Sequence, residues 1–175
     1  MHKQYLGDSY DLVKRFWCET LKSVAPLYAH PRFVPAAIRS EYKNVTTIPI
    51  LEDRPDGRLG ILLDPDTGVP LPATSASDAT SSHVPLPFLI KLNQEFQPDY
   101  IICFDQSHVR DHQLSRKDQR AAKMTFLRER GICSFYYVSH APFLFVAQDR
   151  QILRSILERL TLAGIPECRF QTATL

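Results

Sequence analysis

Acidic side chains stand at two points of the sequence where a short apolar run ends. Asp64 and Asp66 follow the run at residues 59–63, and Asp105 follows Tyr100–Phe104. If both runs are parallel strands, their carboxyl ends meet at one edge of a sheet, where α/β proteins bind ligands. These carboxylates are therefore candidate catalytic groups. The proline and glycine of the first cluster also allow an ordinary aspartate-stabilised turn, and that alternative stays open.

A second set of charged residues lies near the amino terminus at helical spacing. Asp8, Asp11, Lys14 and Arg15 stand three and four positions apart, which predicts that they share one helix stripe. Cap chemistry can explain the acids, with Asp8 as N-cap and Asp11 in the positive first turn. A cation in the second turn gains nothing from the helix dipole, so we expect Lys14 and Arg15 to face a carboxylate or a phosphate.

The segment after the second apolar run carries a third set of polar groups. His108 and His112 are four positions apart, and with Asp105 and Asp111 they could ligate a metal ion or act as acid and base. No further His or Cys stands at metal-ligand spacing, which favours a solvated basic loop at residues 108–117.

Glycine-rich phosphate-binding motifs are absent from the sequence. There is no G-x-G-x-x-G, G-x-x-x-x-G-K-[ST] or G-x-S-x-G, and the six glycines are dispersed. A classical dinucleotide or nucleoside triphosphate site is therefore disfavoured.

The composition is typical of one globular domain. The chain has 175 residues and a formal net charge of +2, with Lys and Arg scattered, so overall charge gives no argument for nucleic acid. Four cysteines without a C-x-x-C pair predict buried thiols in a reducing compartment. The sequence has no apolar leader and no stretch of roughly 20 apolar residues, so we expect a cytoplasmic protein that does not enter a membrane. The oligomeric state stays open.

Apolar spacing predicts the elements that would position these groups. A helix is expected over residues 10–24, followed by a weak region at 25–57 with a short helix at 36–42 and a strand at 44–51. Residues 69–84, rich in Pro, Ser and Thr, predict a long loop or lid. The remaining predictions are strands at 59–63, 100–104, 133–138 and 143–147, and helices at 85–96, 115–130 and from 149 to Gly164.

This order of elements predicts one α/β domain over residues 1–175. The fold expected is doubly wound, a mostly parallel sheet covered on both faces, with the last two strands as an antiparallel hairpin at one edge.

The motifs resemble those of a known group of proteins. Residues 5–15 and 64–68 match, in order, bacterial proteins of uncertain function that begin Y-x-G-D-x-x-D-x-x-K-Y and later carry D-P-D-x-G. Residues 104–108 are similar to the Y-Q-H-type strand end of that group.

More distantly, the layout is similar to the adenine-specific ribosomal RNA methyltransferases, which carry H-A-G-N-x-A-D-x-x-K-H and, after the fourth strand, D-P-P-Y. The resemblance implies a Rossmann-like methyltransferase fold with a truncated N-terminal half, and it places the final hairpin and helix where that fold has them. It also implies that Lys14 helps to hold S-adenosylmethionine and that Asp64 contacts the target amine. Asp66 and Thr67 stand where that family has the Pro-Tyr that stacks on a flipped base.

Three functions follow as hypotheses. The first is a divergent methyltransferase-fold protein acting on a nucleic acid or nucleotide base, and the second is a phosphodiesterase or nuclease that binds Mg²⁺ or Mn²⁺. The third is a non-catalytic nucleotide-sensing or interaction module. The catalytic candidates are Asp64, Asp66, Asp8 and Asp11, and the cofactor-binding candidates are Lys14, Asp105, Gln106 and His108. The metal-dependent alternative uses Asp8, Asp64 and Asp66.

Overall fold

The computed structural model describes residues 6–72, 78–109 and 114–172, and within these ranges it shows a mixed α/β fold. The strands are β1 (Leu27–Ala29), β2 (Gly60–Leu63), β3 (Tyr100–Phe104), β4 (Cys133–Tyr137), β5 (Phe143–Ala147) and β6 (Phe170–Thr172). The helices are α1 (Ser9–Leu21), α2 (Arg39–Thr46), α3 (Leu86–Phe96), α4 (Arg116–Arg128) and α5 (Arg150–Leu162).

The strands form one open sheet in the order β1-β2-β3-β5-β4-β6. β1, β2 and β3 pair in parallel, and β5 is antiparallel to both β3 and β4. β6 pairs antiparallel with β4. β1 to β4 therefore run in one direction and β5 and β6 in the other, which confirms a mostly parallel sheet. The predicted hairpin is present, but β6 lies outside it and forms the edge.

Helices cover both faces of the sheet because side chains alternate along each strand. Leu62 and Ile102 pack with Trp17 of α1 and Ile156 of α5 on one face. Ile61, Leu63 and Ile101 pack with Leu89 of α3 and Met124 of α4 on the opposite face. The doubly wound arrangement expected from the sequence is present in the described residues.

Most elements near the site lie where the apolar spacing predicted them. The side chain of Asp8 accepts hydrogen bonds from the backbone N–H groups of Tyr10 (2.8 Å) and Asp11 (3.2 Å), so Asp8 is the N-cap of α1. β3 and β5 have the predicted bounds, and Asp149 caps α5.

The weak region at 25–57 differs from the prediction. The strand expected at 44–51 is wrong, because α2 continues to Thr46 and ends at Thr47, whose φ of 64° is left-handed. Ile50 makes only an isolated bridge, to Ala29. The helix expected at 36–42 begins as a 3₁₀ turn, Ala36–Ile38, before α2. Neither β1 nor β6 was predicted.

The loop at 69–84 is described except for residues 73–77. Gly68 and His83 form an isolated parallel bridge, and the N–H of Val84 donates to the carbonyl of Gly68 at 2.9 Å. The C-terminal end of the loop is thus held by hydrogen bonds to the turn that follows β2.

Two further expectations concern the burial of the cysteines and the absence of membrane-spanning helices. Cys103 is buried, whereas Cys168 is exposed, so the expectation of four buried thiols is wrong for Cys168. Among the described residues, no helix is both long and apolar enough to cross a membrane.

Candidate functional site

The carboxyl ends of β2 and β3 each lead directly into a buried aspartate. Leu63 is in register with Cys103, so Asp64 lies opposite Phe104 and Asp105 comes one residue later along the chain. Each carboxylate receives a hydrogen bond from a buried lysine, Lys14 for Asp64 and Lys123 for Asp105. Two separate Asp–Lys pairs therefore support the edge of the sheet at which the sequence predicted a site.

The first pair is part of a three-residue cluster beneath the turn after β2. The ammonium of Lys14 donates to Asp11 Oδ1 at 2.9 Å and to Asp64 Oδ2 at 2.6 Å. Lys14, Asp11 and Asp64 are 3%, 1% and 6% exposed. The sequence predicted that Lys14 faces a carboxylate or a phosphate, and in the structure it faces two carboxylates. Its side chain is too deeply buried to contact a ligand in the crevice.

Burial and charge oppose each other in this cluster. Burial lowers the pKa of Lys14, but Asp64 and Asp11 outweigh burial, so the pKa lies above the usual 10.5. Burial raises the pKa of Asp64 above the usual 3.8, and Lys14 offsets part of that rise. The ammonium therefore stays protonated and holds Asp64 in place.

Tyr42 of α2 packs beside the same cluster. The Lys14 ammonium lies 5.9 Å from the centre of its ring. Burial and the charges of Asp64 and Asp11 raise its pKa well above the usual 10.0. Its buried hydroxyl has no hydrogen-bond partner among the described residues.

The second pair is more fully satisfied by hydrogen bonds. Asp105 Oδ1 accepts from the N–H groups of Val69 (2.9 Å) and Ser107 (3.0 Å), and Oδ2 accepts from Lys123 and the Tyr136 hydroxyl, both at 2.7 Å. Lys123 also donates to the carbonyl of Ser107 at 3.0 Å. Asp105 thus fixes the turns after β2 and β3 against α4 and β4, which is a positioning role.

Gly68 brings these two turns into direct contact. Its φ is +132°, and a Cβ atom at this position would lie 2.6 Å from the Cα of Asp105. Glycine is therefore required here for both conformation and space. The Asp-Pro-Asp-x-Gly pattern has a structural role in addition to any chemistry.

Residues 106–108 lie at the protein surface, directly after the buried Asp105. The Gln106 side-chain amide donates to the Tyr10 hydroxyl (2.9 Å) and to the carbonyl of His140 (2.7 Å). His108 Nδ1 lies 3.0 Å from the Gln106 carbonyl. The Gln106 side chain therefore links the turn after β3 to α1 and the β4–β5 hairpin, whereas the His108 contact lies within that turn.

Two cavities meet at this segment. The first has a volume of about 550 Å³, with Asp66 and Thr67 on one side and Gln106 and His108 on the other. The second, of about 290 Å³, continues from residues 106–108 to Arg116 and Arg120 of α4 and to the β4–β5 hairpin. Together they form the crevice expected beyond the strand ends of an α/β sheet.

The predicted site residues differ in whether they are buried or line a cavity. Asp8 is a helix cap, Asp11, Lys14, Asp64 and Asp105 are buried, and Asp66, Gln106 and His108 line the first cavity. Arg15 is exposed and does not share the buried stripe with Lys14. Arg110, Asp111 and His112 lie outside the described residues. Across the described ranges, no group of three or more His, Cys, Asp or Glu side chains could hold a metal ion.

Comparison with known proteins gives no family. The chain matches no protein-family model, no curated protein and no solved structure. The function is therefore argued from the geometry of the crevice.

Sequence reasoning missed residues of α4 and β6 that complete the site. Gln119 and Lys123 lie on the buried face of α4 in line with Leu127, at a spacing of four. Gln119 exchanges two hydrogen bonds with the backbone of Val109, each 2.9 Å long. Polar residues at apolar positions of a helix face were the available signal. Gln171 of β6 contacts Arg120, and no local pattern in the sequence indicated it.

Proposed function

We propose that this protein binds a nucleotide or nucleic acid base in the first cavity and acts there as a divergent methyltransferase-fold protein. The observation that carries the proposal is the position of this cavity, between the turns that follow the neighbouring parallel strands β2 and β3. Open α/β sheets bind ligands in the crevice beyond the carboxyl ends of their strands. Its volume, about 550 Å³, is in the range of small-molecule sites.

The resemblance to the adenine-specific methyltransferases supports the finer part of the proposal. The hairpin and last helix expected from that resemblance are β4, β5 and α5. Asp64 follows β2 directly, at the position that corresponds to the first residue of D-P-P-Y. Fold alone does not establish activity, so the proposal depends on the groups in the cavity.

The polar groups of the cavity fit a ligand of this class. Asp66 supplies an exposed carboxylate that suits hydroxyl groups or an amine, and Gln106 and His108 supply side-chain groups that can bond to a base edge. S-adenosylmethionine would supply an electrophilic methyl group. Asp66, Gln106 and His108 are the residues that would hold the two reactants.

Lys14 and Asp64 have a different role from the one that the resemblance implies. The Lys14 ammonium is bound by two carboxylates, so we assign it to positioning Asp64 rather than to direct contact with the cofactor. Asp64 is the buried support of the turn that carries Asp66. Asp66 is the group that would accept a proton from a methylated amine.

The test is ligand binding by thermal shift and calorimetry. S-adenosylmethionine, S-adenosylhomocysteine and adenosine are expected to stabilise the native protein, because a ligand that binds the native state raises its stability by mass action. Asp66→Asn should weaken binding about tenfold, since it removes a charged acceptor. The matched control is Asp56→Asn, an exposed aspartate that precedes β2 at the opposite end of the strand.

The outcomes separate the parts of the proposal. Transfer of labelled methyl from S-adenosylmethionine to RNA or a nucleotide would support the enzyme. Stabilisation by adenosine without any effect of the sulfonium cofactor at millimolar concentration would contradict methyl transfer and favour a sensing module. Stabilisation by Mg²⁺ or Mn²⁺ alone, abolished by Asp64→Asn, would favour the metal-dependent phosphodiesterase instead.

A further inference from the structure

The lining of the second cavity includes two arginines that the proposed base-binding site does not use. Arg116 and Arg120 stand one helical turn apart on α4, and His108 and His140 face them from the β3 turn and the β4–β5 hairpin. Of the described residues that line this cavity, only Asp105 is acidic, and its carboxylate is bound by Lys123 and Tyr136. The lining therefore carries an excess of positive charge.

Arg120 is held in a fixed orientation without a carboxylate. Its Nε donates to Gln171 Oε1 at 2.7 Å, and Gln171 Nε2 donates in turn to the carbonyl of Lys117 at 2.8 Å. Its guanidinium lies 5.9 Å from the centre of the Tyr136 ring. Within the described part of the chain, Arg120 forms no salt bridge. An arginine has five N–H donors, so four remain on the two terminal nitrogens.

The environment of Arg120 opposes its charge. Burial lowers its pKa below the usual 12.5, Tyr136 and Asp105 offset part of that effect, and repulsion from Arg116 adds to it. A half-buried guanidinium with a second cation nearby is stabilised by an anion that contacts both. The side chain that fixes it, Gln171, comes from a different element of the fold, so the orientation is formed before any ligand binds.

We propose that the second cavity binds a phosphate group through Arg120 and Arg116, and that the substrate is therefore a phosphorylated nucleoside rather than a free base or nucleoside. This inference rests on the proposed function, because it assigns the base of the same ligand to the first cavity. Gln106 and His108 line both cavities, so one nucleotide can span them. Gln171 is a positioning residue for Arg120.

The test compares the binding of inorganic phosphate, adenosine and adenosine monophosphate by calorimetry at constant ionic strength. In the wild type, the monophosphate should bind about tenfold or more tightly than adenosine, and phosphate alone should bind measurably. R120Q and R116Q should each remove most of this preference. R154Q is the matched control, because Arg154 is an exposed arginine on α5.

A further variant tests the positioning role. Gln171→Ala changes no charge but frees the Arg120 side chain, so phosphate binding should weaken about two- to tenfold. Adenosine binding should stay unchanged in all these variants. R116Q keeps the test decisive if R120Q does not fold, since Arg116 is exposed.

The results distinguish this inference from the proposed function. Equal affinity for adenosine and its monophosphate, or a preference that R116Q and R120Q do not alter, would overturn the phosphate site while leaving base binding intact. Phosphate binding that depends on the two arginines, without any adenosine binding, would support the phosphate site and contradict the proposed base site.

Discussion

Lys14 is buried at a depth where an ammonium group is stable only with anionic partners. Its hydrogen bond to Asp64 joins α1 to the turn after β2, and its hydrogen bond to Asp11 lies within α1. Removing one member of such a cluster costs more than the cluster contributes, because the remaining charges stay buried without a counter-ion. The residue therefore determines whether the strand end that carries Asp66 keeps its position.

We expect Lys14→Met to destabilise the protein by about 3–5 kcal/mol, measured by urea unfolding at pH 7. The loss should be smaller in acid, where Asp64, whose pKa is raised by burial, can bind a proton. Lys22→Met is the matched control, because the Lys22 side chain is 72% exposed and its 3.5 Å pair with Glu19 lies in solvent. A loss below about 1 kcal/mol for Lys14→Met would contradict the structural role.

Two buried tyrosines give opposite expectations for the same substitution. Tyr136→Phe removes the hydroxyl that donates to Asp105, so we expect a loss of about 1.5–3 kcal/mol. Tyr42→Phe removes a hydroxyl that has no partner among the described residues, so stability should be unchanged or rise. Urea unfolding of both variants measures the contrast. A loss for Tyr42→Phe as large as that for Tyr136→Phe would show that the Tyr42 hydroxyl has a partner.

At the scale of elements, the site depends on how closely two turns approach. Residues 64–68 follow β2 and residues 105–108 follow β3, and the backbone N–H of Gln106 donates to the carbonyl of Thr67 at 2.9 Å. Gly68 permits this contact. The position of Asp66 relative to Gln106 is therefore set by the packing of backbone on backbone.

We expect Gly68→Ala to lower stability by about 2–4 kcal/mol, because it combines a disfavoured φ with a steric clash against Asp105. Gly57→Ala is the matched control: its φ is also positive, at +91°, but nothing lies within 4 Å of an added Cβ. The control should lose only about 1–2 kcal/mol. Equal losses in urea unfolding would mean that conformation alone, without the contact, explains the glycine.

The elements that were predictable from the sequence are those with strong local signals. β3 and β5 are continuous apolar runs bounded by polar turns, and α1 has both a cap and an apolar stripe, so spacing alone located them. β1 and β6 have only three residues each, and their pairing with β2 and β4 depends on contacts distant in sequence. Residues 44–51 do not form a strand because the first three of them belong to α2. The buried face of that helix includes Tyr42 and Thr46.

The site, like the fold, was predictable only where the signal is local in the sequence. The rule that ligands bind beyond strand ends selected Asp64, Asp66 and Asp105, and the structure places all three after the carboxyl ends of β2 and β3. Which of them would be buried depends on Lys14 and Lys123, whose partners are 50 and 18 positions away. Such pairings follow from the packing of α1 and α4 on the sheet, which spacing does not reveal.

At the scale of the whole molecule, the two helical layers bury several groups that favour the protonated form. Burial raises the pKa of Tyr42, Tyr100 and Tyr136 above the usual 10.0 and that of Cys103 above 9.0. The carboxylates around Lys14 raise its pKa in the same direction. These groups lie on both faces of the sheet, so their effect on stability belongs to the fold rather than to one site.

Folding stability should therefore fall steeply in alkali. The folded protein keeps protons that the unfolded chain releases above about pH 9 to 10.5, so the contribution of these groups is fully present below that range and is lost progressively as the pH rises beyond it toward their raised pKa values in the folded protein. Each group contributes a slope of up to about 1.4 kcal/mol per pH unit above its unfolded pKa.

Urea unfolding between pH 8 and 11 measures the free energy of unfolding over this range. Tyr42→Phe should make the slope above pH 10 shallower, because it removes one of the phenols whose pKa is raised. A free energy of unfolding that stays constant to pH 11 would contradict the burial of these phenols, and with it the packing of α2 against the Lys14 cluster.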